Sequence, residues 1–137
     1  MCTSLPGRRG GAYPRRVPID SHTIERLAGE RTIELTTFGR RSGRPSRIEI
    51  WWFRFEGRFI VTGTPGRRDW LANVRATPAV IVHAAGTDLP GTATEVRDIA
   101  DRRRFFDQTQ TEVGWYRTQA GLDQLVSDAP MIAIIFD

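Results

Sequence analysis

The sequence predicts a mainly β, α+β fold: six antiparallel strands closed into a small barrel, with short helices. Three observations carry this. Short segments of apolar–polar alternation recur along the chain, each bounded by Gly, Pro or acidic turn residues. These segments follow one another mostly in hairpin order. Helical patterning is limited to a short stretch before the first strand, a brief one in the middle and a longer one late in the chain. Closure removes exposed strand edges, and the gaps where helices interrupt a barrel are where ligands bind.

The elements follow in order. Asp20 or Ser21 is a side-chain cap for a short helix reaching about Ala28, ended by Gly29. Thr32 to Thr37 alternates as a half-buried strand. Gly39 to Pro45 is a turn-rich loop. Arg47 to Phe55 is an aromatic strand, with Ile48, Ile50 and Trp52 on one face and Glu49, Trp51 and Phe53 on the other. Glu56-Gly57 turns the chain into the strand Arg58 to Gly63. Asp69 to Arg75 is a helix with Trp70, Leu71 and Val74 on one face. Ala79 to His83 is the next strand, Gly86 a turn, and Gly91 to Arg97 a fifth strand. Asp98 caps a helix extending to about Glu112, with Ile99, Phe105, Phe106 and Thr109 as candidate core. Met131 to Phe136 is the last strand.

The chain has 137 residues, 39% apolar and 26% charged, as expected of one soluble domain. Residues 1–18 are rich in Arg, Gly and Pro and read as a mobile arm; residues 19–137 read as the barrel domain. The arm is either a solvated tail or a weak contact to acidic membrane lipid or nucleic acid. No apolar run approaches the ~20 residues of a membrane span, and no apolar stretch follows the first arginines as in a signal peptide. The expected location is cytoplasmic. Cys2 is the single cysteine, which excludes an intrachain disulfide and a cysteine metal cluster. His22 and His83 stand alone, so no metal site is expected.

All 20 basic residues are Arg, against 16 acids. Residues 1–19 carry the entire net charge of +4, and the remaining 118 are neutral. Nucleic-acid binding by the folded part therefore loses its main argument. Within that neutral body, residues 38–75 hold 9 Arg and 3 acids, while residues 76–137 hold 5 Arg and 9 acids. The central segment is either an anion site or a face that ion-pairs with the acidic C-terminal half.

Three motifs could carry chemistry. Gly39-Arg40-Arg41-Ser42-Gly43-Arg44 leaves a strand with two Gly, one Ser and three Arg in six positions. Backbone amides, a hydroxyl and forked guanidinium groups suit phosphate or carboxylate; a polar hairpin turn is the alternative. Gly63-Thr64-Pro65-Gly66-Arg67-Arg68 enters the helix at Asp69, whose N-terminal amides favour an anion or a ring carbonyl. In that helix Trp70 reads as core, and Asn73 bonds either the loop backbone or a ligand. Glu49 lies among aromatics and, if buried, needs a partner such as Arg47 or Arg67; otherwise it is a polar contact at a ligand's mouth.

Taken together, Leu35 to Pro45, the strand Ile48-Glu49-Ile50-Trp51, and Asp69-Trp70-Leu71-Ala72-Asn73 running to Pro78 resemble the deazaflavin (coenzyme F420)-dependent nitroreductase family. Its members are split β-barrel proteins related to flavin reductases and pyridoxamine-phosphate oxidases, with an FMN-binding-like fold. The resemblance implies a homodimeric oxidoreductase passing a hydride from reduced F420 to a small conjugated, quinone-like or nitro acceptor. It places the coenzyme's phosphate and acidic tail on Arg40, Arg41 and Ser42, with Arg44 or Arg47 assisting. It places the ring against Ile50, Trp51, Thr64, Pro65, Gly66 and Arg67, braced by Trp70 and Asn73. Glu49, Trp51, Trp115 and Tyr116 would border the substrate, and Tyr116 or water would supply a proton. The alternatives are FMN or haem in the same barrel, or a barrel that stacks nucleic-acid bases on aromatic side chains.

Overall fold

The computed structural model describes residues 23–137. The arm expected over 1–18 and the helix cap expected at Asp20 or Ser21 lie outside them. After helical residues 23–26 the chain runs β1 (Thr32–Phe38), β2 (Pro45–Phe55), β3 (Arg58–Thr62), α1 (Asp69–Ala76), β4 (Ala79–Ala84), β5 (Thr87–Glu95), α2 (Ile99–Phe106), α3 (Thr111–Gln119), α4 (Leu122–Asp128) and β6 (Met131–Phe136).

All strand pairs are antiparallel, and the barrel closes in the order β1-β2-β3-β6-β5-β4, with β4 back on β1. The long strand β2 changes partners midway. Pro45 to Trp51 pair with β1, and Trp52 to Phe55 pair with β3. Two hairpins have positive φ at both turn residues, Glu56 (52°) with Gly57 (74°) and Ala85 (54°) with Gly86 (74°). That is the geometry whose twist matches the flanking strands.

Two apolar cores flank the barrel wall. The inner one gathers Ile33, Leu35, Trp52, Phe59, Val61, Val82 and Ile134, closed at one end by Trp70, Leu71 and Val74 of α1. Trp52 and Phe59 stack at 4.4 Å. The outer core lies between the wall (Phe53, Ile60, Met131) and a layer made by α2, α3 and α4 (Phe105, Phe106, Val113, Tyr116, Leu125, Val126). Period-two alternation along β2 produces both: Ile48, Ile50 and Trp52 face in, and Trp51 and Phe53 face the helices.

The helical layer differs from expectation. The helix expected from Asp98 to about Glu112 ends at Phe106, and two further helices follow. Asp98 caps α2 as expected, accepting from the Asp101 amide at 3.0 Å. The break has a clear partner: Arg117 of α3 donates to the Phe106 carbonyl at 2.6 Å and the Gln108 carbonyl at 2.7 Å, satisfying the end of α2. Phe105 and Phe106 are core, but Ile99 and Thr109 are exposed. The fifth strand starts four residues earlier than Gly91, because the Ala85-Gly86 turn sets Ala84 opposite Thr87.

The layer is pinned by buried Arg102. Its Nε donates to Val126 O (2.5 Å), one terminal nitrogen to Val96 O (2.8 Å), and the other to Leu125 O (3.4 Å) and Ala129 O. Three of those carbonyls sit at the C-terminal end of α4, where a cation is favoured. No helix among the described residues is long and apolar enough to cross a membrane.

Candidate functional site

A cleft of about 450 Å³ opens where β2 passes α3. One wall is Glu49, Ile50 and Trp51 of β2; the other is Trp115 and Tyr116 of α3. Thr62, Gly63 and Thr64, at and just past the end of β3, complete the lining together with Arg68. Trp51 meets Trp115 edge-on at 5.7 Å and Tyr116 at 6.2 Å. Trp115 is 45% exposed and forms the rim, whereas Tyr116 is buried.

Two wall residues carry polar groups without a partner among the described residues. Glu49 is exposed and has no ion pair among the described residues, so it is not the buried, paired carboxylate that one sequence reading required; Arg47 pairs with Glu34 instead. The Tyr116 hydroxyl has no hydrogen bond to the described residues. Burial pushes the phenol up to about 12, against a smaller opposing pull from the charges of Arg31 and Arg68. The phenol is therefore a neutral donor throughout the working range of most enzymes.

Arg68, absent from the sequence-based candidates, holds the loop after β3 in shape. It donates to Thr64 O and Thr64 Oγ1, both at 2.9 Å, and to Arg67 O at 3.1 Å. Its signal was its place four residues after Thr64 and directly before a helix. Pro65, Gly66 and Arg67 do not line the cleft but a neighbouring groove.

The arginine loop between β1 and β2 is a closed turn. The Gly39 amide donates to Arg44 O and the Gly43 amide to Gly39 O, each at 2.8 Å, and Ser42 Oγ accepts from the Arg44 amide at 3.1 Å. Buried Asn73 of α1 docks this turn. Its Oδ1 accepts from the Arg40 amide (3.1 Å) and guanidinium (3.0 Å), and its Nδ2 donates to Thr37 Oγ1 (3.1 Å). Asn73 thus braces the arginine loop and not the loop at 64–67. Arg40 also lies 3.5 Å from Asp69. Arg41 and Arg44 are exposed, with no ion pair among the described residues. Trp70 is core, so any part it plays at a ligand is indirect.

Among the described residues, the central Arg58 and Arg75 pair with Asp101 and Glu95 of the acidic C-terminal half, Arg40 and Arg47 pair with Asp69 and Glu34, and no ion pair is made by Arg41, Arg44 or Arg67. His83 has both ring nitrogens engaged, with Thr36 Oγ1 and Asp88 Oδ1 each at 2.7 Å. No group of three or more His, Cys, Asp or Glu side chains suited to a metal occurs among the described residues.

A closed six-stranded antiparallel barrel with helices packed against its wall defines a split-barrel fold. Solved structures share this architecture. An F420H2-dependent reductase matches at 20% identity and a TM-score of 0.59, over 77% of this chain and 95% of that one. A structure described as a domain-swapped dimer matches at 19% and 0.59, over 86% and 99%. A pyridoxinephosphate oxidase family protein from Clostridium acetobutylicum, related to general stress protein 26, matches at 14% and 0.62, over 89% and 86%. No curated protein sequence matches. The model of the F420H2-dependent quinone reductase family matches residues 13–127, and the chain belongs to that family. It is an F420H2-dependent reductase, with coenzyme F420 as its cofactor or cosubstrate.

The residues present fit such a group. The cleft lies within the ~300–1,000 Å³ of small-molecule sites and combines apolar walls with a few polar groups. Arg41 and Arg44 offer guanidinium groups that no carboxylate among the described residues neutralises, as a phosphate or acidic tail requires.

Proposed function

We propose that this protein transfers a hydride from reduced F420 to a small quinone-like acceptor, with ring and acceptor held between Ile50–Trp51 and Trp115–Tyr116. The single observation that supports this most is the meeting of β2 and α3 residues, more than 60 positions apart in the chain, around one cleft with a free buried phenol. When bound, the reduced deazaflavin supplies a two-electron hydride, so the chain's own residues position the reactants and exclude water. Trp51 and Trp115 offer flat apolar faces. Tyr116 offers a proton from its hydroxyl to an acceptor oxygen as charge develops there. Arg41, Ser42 and Arg44 hold the anionic end, and Asn73 and Arg40 keep their loop in shape.

Anaerobic oxidation of reduced F420 by a water-soluble naphthoquinone, followed by the return of deazaflavin absorbance, tests the reading. Protein-dependent oxidation supports it. No acceleration over the protein-free rate, with micromolar coenzyme binding also absent, overturns it. A nitro compound in the same assay separates the two acceptor classes that the resemblance implies.

The same reading includes a homodimer. It is supported by the domain-swapped dimer among the structural neighbours and by Ile135, which remains half exposed on β6. Light scattering at the eluting peak measures the mass directly.

A further inference from the structure

A second groove is larger than the cleft. It has a volume of about 810 Å³ and runs between α1 and the C-terminal end of α4. Five arginines line it (Arg67, Arg68, Arg75, Arg97 and Arg102) against two carboxylates, Glu95 and Asp128. Among the described residues, both Arg75 and Arg97 pair with the single Glu95, Arg67 has no carboxylate partner, and Arg68 and Arg102 are bonded to neutral oxygens. An excess of positive charge is therefore left facing the groove.

Position separates this groove from the arginine loop. Leu71 and Arg75 border the groove, whereas Asn73, about half a turn of helix away from each, holds Arg40. The two cationic surfaces thus lie on opposite sides of α1. Arg68, by contrast, lines both the groove and the cleft, so these two adjoin.

We propose that this groove is a second anion site, which takes a multiply charged carboxylate or phosphate portion of a ligand whose ring occupies the adjoining cleft. The inference rests on the reading of the cleft given above. Two ligands could bring that charge, the coenzyme through its acidic tail or an anionic acceptor, and the chemistry that recognises either is the same.

The full chain is titrated calorimetrically with inorganic tripolyphosphate and with a tetraglutamate peptide at low salt. Arg67→Gln with Arg97→Gln should weaken binding at least tenfold, while Arg54→Gln with Arg103→Gln, neither of which lines the groove, should change it less than threefold. The reverse pattern overturns the proposal. The source is then read from turnover. A tenfold rise in KM for tailed coenzyme, but not for its tail-less head, assigns the groove to the coenzyme. A rise for a carboxylated quinone, but not a neutral one, assigns it to the acceptor. No rise in any of the four KM values overturns the shared ligand. Absent tripolyphosphate and peptide binding with normal turnover overturns the groove alone. Intact binding without turnover overturns the cleft reading and the shared ligand with it.

Discussion

Asn73 holds Arg40 twice, accepting from its backbone amide at 3.1 Å and from its guanidinium at 3.0 Å. Through this one side chain α1 sets the shape of the loop that carries Arg41, Ser42 and Arg44. Asn73→Ala should leave the Arg40 amide and Thr37 hydroxyl without their partner, at about 1–3 kcal/mol for each buried group left unsatisfied. The melting temperature should fall by several degrees. Coenzyme affinity should fall about tenfold, although in the proposed reading Asn73 does not touch the coenzyme. Unchanged affinity in the folded variant would separate the loop's shape from binding.

Arg40 and Arg41 are adjacent, but the structure gives them different tasks. Arg40→Ala should lower both stability and coenzyme affinity, because Arg40 is bonded to α1. Arg41→Ala should lower affinity alone, since an exposed guanidinium without a partner among the described residues contributes little to folding. Fluorescence quenching of the coenzyme together with thermal unfolding separates the two.

Tyr116→Phe keeps the ring contacts with Trp51 and Trp115 and removes only the proton donor. We expect kcat with quinone to drop about 10²-fold, the lower end of general-acid contributions, with coenzyme affinity changing little. The linkage sign follows from the raised phenol. The folded state holds its proton up to about 12 while the unfolded chain releases it near the usual 10. Tyr116 therefore contributes stability that is fully present below pH ~10 and is lost as pH rises from there through ~12. Wild type should lose more stability than Tyr116→Phe across that window in urea unfolding; equal losses would show that the phenol is not shielded.

Arg102→Met should be the most damaging of these substitutions. It removes a donor shared by four carbonyls where α4 meets α2, at about 1–3 kcal/mol for each one left unsatisfied. Arg102→Lys should recover only part of this, because an ammonium cannot span the same fork. Chemical denaturation of the three proteins checks the order.

The barrel strands were readable because a strand's period of two writes its burial into neighbouring residues. Ile48, Ile50 and Trp52 against Trp51 and Phe53 is such a record. The two hairpins were readable from Glu56-Gly57 and Gly86. The helical layer was less so. Helices α3 and α4 are short, and their buried residues are few: Val113 and Tyr116 in one, Leu125 and Val126 in the other. Too few turns repeat for a period to emerge. The stop after Phe106 depends on Arg117, eleven residues on, which no local pattern announces.

The same division holds for the site. Residue chemistry and resemblance nominated the arginine loop, the wall of β2 and the pair Trp115–Tyr116, because aromatic and guanidinium groups declare their uses by type. What each one does depends on who stands beside it. Arg47 is taken by Glu34, Arg40 is held by Asn73, Arg41 is left free, and Arg68 joins a cleft to a groove. Local sequence by itself determined the strands, the turns and the supply of cationic and aromatic side chains, since those follow from backbone preference and side-chain chemistry at neighbouring positions. Tertiary structure alone decided which cations are neutralised and which remain open to a ligand, because ion pairing and burial are set by residues brought together from distant parts of the chain.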